Sequence, residues 1–175
     1  MTRITAGARR AGALAAASIS AISHAAGANC TASATVIAPI TIRKSVDLSF
    51  GRFAAGAGGT VTVSTSDART ATGAILSTVG SSPAAARFVV AGAASATYSI
   101  TISPAAAMDD GAGHAMTLAI FSDLSAANTT SGNVTGGALS GAGAQSVFIG
   151  ATLTVGAAQI AGEYSGNILV TVEYN

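Results

Sequence analysis

The stretch DDGAGHAM, residues 109–116, gathers the groups most able to do chemistry: two adjacent carboxylates, Asp109 and Asp110, and the imidazole of His114. Carboxylate oxygen and imidazole nitrogen both bind divalent metals. An EF-hand loop, however, needs acids at alternate positions ahead of its glycine. The spacing in residues Asp109–His114 matches no ligand pattern, so a solvated polar loop is expected, with weak surface calcium binding as the most it would support. A Ser-His-Asp triad would have to use the same His114, and no serine stands in a Gly-x-Ser-x-Gly elbow. The glycines at 56–59 and 141–143 lack the lysine and the following helix of a phosphate cradle. The sequence therefore assigns no catalytic residue, no cofactor and no metal, and an enzyme is not expected.

The elements that would position any site are strands. Outside the N-terminal segment there is no sustained helical period, and Gly, Thr, Ser and Val crowd out the strong helix formers. Alternation with period two recurs instead. Val46, Leu48 and Phe50 are expected on one face, as are Val61 and Val63; Tyr98, Ile100 and Ile102; Met116, Leu118 and Ile120. The longest run, SVFIGATLTV, aligns Val147, Ile149, Ala151, Leu153 and Val155, and NILVTVEY aligns Ile168, Val170, Val172 and Tyr174. Stretches rich in Gly, Ser, Pro and Asn separate these runs and read as turns or long loops, with an extra hairpin as the alternative near 104–114 and 125–143. The expectation is an all-β, immunoglobulin-like antiparallel β-sandwich of about seven to nine strands. A membrane barrel would need aromatic girdles, and the chain has no Trp and few aromatics. Past the N-terminal segment no apolar run is long enough for a spanning helix.

The N-terminal 28 residues read as a secretory signal peptide: MTRITAGARR is basic, an apolar run of small residues follows, and Ala26-Gly27-Ala28 offers a cleavage site. The predicted product is exported to the periplasm, the cell surface or beyond. Residues 29–175 form one domain. They keep Arg43, Lys44, Arg52, Arg69 and Arg87 against seven acids, so no basic stripe is available for nucleic acid. Lipidation at Cys30 would need cleavage directly before it, where Asn29 stands. A lone cysteine makes no internal disulfide.

The segment NCTASATVIAPITI alternates too, with Cys30, Ala32, Ala34, Val36, Ala38, Ile40 and Ile42 on one face. It can be the domain's own first strand, with Pro39 at an edge or a switch between sheets. It can equally be inserted into another subunit by strand addition. The series TVIAPITI, DLSFGRF, GTVTVS, FVVAG, TYSITI and GATLTVGAAQIAGEYSGNILVTVEYN resembles the bacterial secreted family catalogued as domain of unknown function 4402. Its ending is similar to that of spore-coat-U-type and other pilin-like subunits of chaperone-usher systems. That resemblance implies a sandwich lacking its last strand. Gly162 and Tyr164 would form a turn, Ile168, Val170, Val172 and Tyr174 the strand beside the groove, and Ala32, Ala34, Val36 and Ala38, within residues 29–38, the donor face. It also implies partners: other copies or related subunits, a periplasmic chaperone and an outer-membrane usher. The sequence departs from many pilins in its short extension and missing disulfide. The reading is a secreted structural subunit; its alternative is a self-sufficient binding or adhesion module.

Overall fold

A computed structural model describes residues 26–104 and 107–175. The expected signal peptide falls, as far as residue 25, outside the described residues. The chain divides into two units, Met1–Thr35 and Val36–Asn175. Within the first, residues 26–35 are exposed and carry no strand.

The second unit is built of strands and contains no helix among the described residues. In chain order they are β1 Thr41–Val46, β2 Phe53–Ala54, β3 Gly59–Val63, β4 Arg69–Thr72, β5 Ile75–Leu76 and β6 Ala86–Ala91. There follow β7 Thr97–Pro104, β8 Ala107–Asp109, β9 Ala115–Asp123, β10 Gly136–Ala138, β11 Ala144–Val155 and β12 Ile168–Tyr174. Every pairing is antiparallel. Strand β11 takes β9 along one edge, and β6 followed by β3 along the other. Beyond these lie β1 next to β6, β4 next to β3 and β8 next to β9. A second sheet has the order β10-β7-β12, and β2 pairs β5 separately.

The alternation places the core as the sequence predicts. Val147, Ile149, Ala151, Leu153 and Val155 of β11 are all buried. The first two meet Val90 from the same sheet and Tyr98, Ile100 and Val170 from the other, so one apolar cluster fills the space between two sheets. This is an antiparallel β-sandwich. A second cluster joins Val61, Val63, Met116, Leu118 and Leu153 to Phe50. Burial of each such side chain contributes about 1.5–3 kcal/mol before conformational entropy is subtracted.

Two details differ from expectation. Among the described residues four of the twelve strands are only two or three residues long, and three of these fall in stretches that read as loops; β8 forms the extra hairpin with β9. Val46 does not share the inward face of Leu48 and Phe50. The β1–β6 register shifts between Lys44 and Val46, and this bulge leaves Val46 37% exposed while Phe50 is buried.

The outer face of β11 has one point of very close packing. A Cβ on Gly150 would lie 2.3 Å from Phe121 Cε2 and 2.4 Å from the Val63 carbonyl oxygen. The backbone oxygen cannot swing away as a side-chain tip could. Gly150→Ala is therefore expected to destabilise the fold by roughly 1–3 kcal/mol, read as a lower urea midpoint with little change in the denaturant slope.

Candidate functional site

Asp109, Asp110 and His114 lie on the hairpin that joins β8 to β9, and the structure brings Asp110 and His114 into contact. Their oxygens are already engaged by the turn. Asp110 Oδ1 accepts from the backbone N–H of Ala112 and His114 at 2.9 and 3.1 Å, and its Oδ2 lies 2.6 Å from His114 Nδ1. Asp109 Oδ1 accepts from Gly111 N at 3.0 Å. The hydrogen bond from His114 is the main cause that holds the Asp110 carboxyl down to about 2, helped by the two backbone donors and opposed by partial desolvation. Among the described residues no three His, Cys, Asp or Glu side chains gather as a metal would require. These side chains shape a turn.

Beside that turn runs the β11–β12 loop, which carries Gly162 and Tyr164. The backbone of Asp109 exchanges two hydrogen bonds of 2.9 Å with Ser165. The Tyr164 hydroxyl donates to the Ile160 carbonyl and accepts from Gln159 Nε2, both at 2.8 Å. Its ring packs on the Phe50 cluster. Tyr164 thus fixes the loop that leads into β12, while Gly162 is exposed beside Asp110.

A different carboxylate organises the opposite loop, and no motif in the sequence announced it. Asp123 ends β9, is nearly buried, and accepts from the backbone N–H of Ser125, Ala126 and Ala127 at 2.6–2.9 Å. It also accepts from the Thr65 hydroxyl, which in turn accepts from Thr129 N at 2.9 Å. Burial pushes this carboxyl up, but the hydrogen bonds from Thr65, Thr129 and the loop backbone outweigh it and hold it below the ordinary carboxylate range. Residues 125–129 are pinned in this way, although Ala126 and Asn128 adopt positive φ.

The third place of interest is the edge of β12. Ile168, Val170, Val172 and Tyr174 face inward and pack in the inter-sheet cluster, whereas Leu169, Thr171 and Glu173 face out. One edge of β12 pairs with β7 over its whole length. The other pairs with no strand among the described residues. Strand β1 approaches that edge, but its own pairing is entirely with β6. At one end of the gap the Tyr174 hydroxyl accepts from Ala93 N at 2.6 Å and donates to the Ala38 carbonyl at 2.8 Å. At the other end a cleft of about 170 Å³ opens between Lys44, Asp47, Leu48 and Phe50 and the start of β12 at Gly166–Ile168. The two flanking strands therefore run in opposite directions.

The expected donor-face residues Ala32, Ala34, Val36 and Ala38 are all exposed and lie outside every strand; Val36 is 97% exposed. Ile40 and Ile42, which continue their alternation, are the first to pack against the core. Cys30 is a free, exposed thiol.

A family model described as a domain of unknown function (DUF4402) matches residues 40–174. No curated protein and no solved structure matches the chain.

Two titrations separate the two carboxylates. His114→Ala should raise the apparent pKa of Asp110 from about 2 toward 3.8 in an NMR titration, because the largest cause of its depression is removed. Asp123 has a folded pKa below its unfolded value, so its contribution is present above the unfolded pKa and is lost as pH falls through the folded one. Asp123→Asn is expected to cost roughly 1–3 kcal/mol at neutral pH and to flatten the acid limb of the stability profile below about pH 4.

Proposed function

The chain belongs to the DUF4402 family, a domain of unknown function, and we propose that it is an exported, pilin-like or coat-like structural subunit of the cell surface. In this reading segment 29–38 of one copy pairs with the free edge of β12 in another. The observation that carries it is the combination of an open strand edge on β12 and an alternating, exposed segment that pairs with no strand among the described residues.

The physical argument is main-chain satisfaction. A strand edge presents a row of N–H and C=O groups that favours pairing with another chain, and proteins usually blunt it with a bulge, a proline or charge. Strand β12 carries a single charge, Glu173, on its outward side, and exposes Leu169 to 65%. An incoming strand would supply the backbone partners, and alternate side chains would supply specificity. Extended at ~3.3 Å per residue, residues 29–37 reach about 30 Å, against about 23 Å for the seven residues of β12. The segment is thus long enough to cover the edge and leave a short link. Burial of Val36 alone would contribute about 1.5–3 kcal/mol.

The same reading gives the partners their roles. A periplasmic chaperone would cover the edge before assembly, and an outer-membrane usher would order the exchange. Tyr174 fits here as well, since its bond to Ala38 fixes where the extension leaves the domain.

The test uses the chain from residue 29 onward. Analytical ultracentrifugation should show concentration-dependent oligomers, and Ala34→Asp with Val36→Asp should abolish them; at dilutions where the unsubstituted chain is monomeric the two thermal midpoints should agree, because neither side chain packs in the sandwich. Monomers at every concentration, or equal assembly by the doubly substituted chain, would contradict the proposal.

A further inference from the structure

The open edge of β12 is not uniform along its length. At the end remote from Tyr174, beside Ile168, it borders the cleft of about 170 Å³, which is lined by Phe50, Phe88, Met108 and Leu118. The exposed Lys44–Asp47 ion pair stands at its mouth. An apolar cavity of roughly 150 Å³ takes a ligand as large as benzene, so one alanine methyl would leave most of this cleft empty. On the alternating face of segment 29–38 stand Cys30, Ala32, Ala34, Val36 and Ala38, and of these Val36 is the one large aliphatic side chain. It is almost wholly exposed and packs against nothing in the core.

The domain's own Val36 cannot reach that cleft. The Tyr174 hydroxyl holds the Ala38 carbonyl at the opposite end of β12. Val36 stands two residues before Ala38 and extends at most about 7 Å from it, whereas Ile168 lies six residues along β12 from Tyr174, about 20 Å away. Laid along its own β12, the extension would run parallel to that strand and set Ala32 beside Ile168. A segment running antiparallel to β12 does the reverse. With Val36 beside Ile168, Ala34 meets Val170, Ala32 meets Val172 and Cys30 meets Tyr174, so the two inward faces coincide from end to end. Only another molecule can supply a segment in that direction, because the root of the domain's own is fixed at the wrong end.

Resting on strand addition at β12 as its premise, we propose that this cleft is the binding site for Val36 of a second copy, and that its position remote from Tyr174 selects exchange between copies over closure of a chain on itself. Tyr174 is the positioning residue of this device: it fixes where the extension leaves, and so which side chains could ever fold back onto the edge. The donor's root and the acceptor's cleft lie at opposite ends of β12, which makes the contact heterologous. Each copy that receives a segment can therefore pass its own to the next.

The experiment is disulfide trapping in the chain from residue 29 onward, with Cys30→Ser removing the native thiol. Thr35→Cys with Leu169→Cys sets two outward-facing thiols opposite each other in the antiparallel register, and mild oxidation should give a ladder of disulfide-linked copies on a non-reducing gel. Ser33→Cys with Leu169→Cys is the pair that self-closure would bring together, and it should give no intramolecular bond. All three positions are exposed, so neither pair disturbs the core. In ultracentrifugation Val36→Ala should weaken association by about tenfold, whereas Val79→Ala, at an exposed valine outside the cleft, should leave it unchanged. An intramolecular bond in the Ser33 and Leu169 pair would overturn the proposal, as would equal cross-linking by both pairs or undiminished association of Val36→Ala. Copies that associate without a bond between positions 35 and 169 would overturn this seating and leave strand addition standing; chains that stay monomeric at every concentration would overturn both.

Discussion

Backbone pairing is the constraint on which this molecule depends. Strand β11 satisfies it on both edges, with β9 on one and β6 and β3 in succession on the other, and its alternate side chains supply much of both apolar clusters. A strand so used leaves little freedom: a slip of one residue would turn Val147, Ile149 and Leu153 to solvent and Phe148 and Thr152 to the core. The other sheet is built differently. It has three strands, and β12 at its margin is paired on one side. With few charges in the chain, the free side of β12 is left mainly with Leu169, Thr171 and a single glutamate. The contrast between a fully paired centre and a half-paired margin is what makes strand addition the natural reading.

The loops gain their local order from side-chain hydrogen bonds to the backbone. Three carboxylates beside loops are committed to backbone N–H groups: Asp110 to Ala112 and His114, Asp123 to the turn after β9, and Asp67 to Ala85 N at 2.7 Å. In a chain so poor in charged residues these carboxylates hold turns that glycine and alanine cannot hold by themselves. Tyr174 and Tyr164 do the same for the margin of the smaller sheet, through hydroxyls bonded to Ala38, Ala93, Ile160 and Gln159.

Much of this was legible in the sequence because period-two alternation reports burial directly. The inward faces of β7, β9, β11 and β12 were readable residue by residue, and so was the sandwich. What escaped were features set by pairing rather than pattern. The bulge that turns Val46 outward depends on its register against Arg87 and Phe88. Short strands such as β8 exist because β9 and Ser165 pair with them, not because three residues have a preference of their own. Asp123 and Thr65 are 58 positions apart and meet only after β3 and β9 have both joined β11. The segment 29–38 was readable as an alternating strand, and its unpaired state is the additional information the structure supplies.

The central claim is that this segment belongs beside β12 of another copy, and amide hydrogen exchange followed against protein concentration addresses it most directly. The account predicts fast exchange throughout residues 29–37 in dilute monomer. As copies associate, protection should appear there and along Ile168–Tyr174 in parallel. Protection of 29–37 already present in the monomer, or oligomers in which both segments exchange as fast as in the monomer, would contradict it.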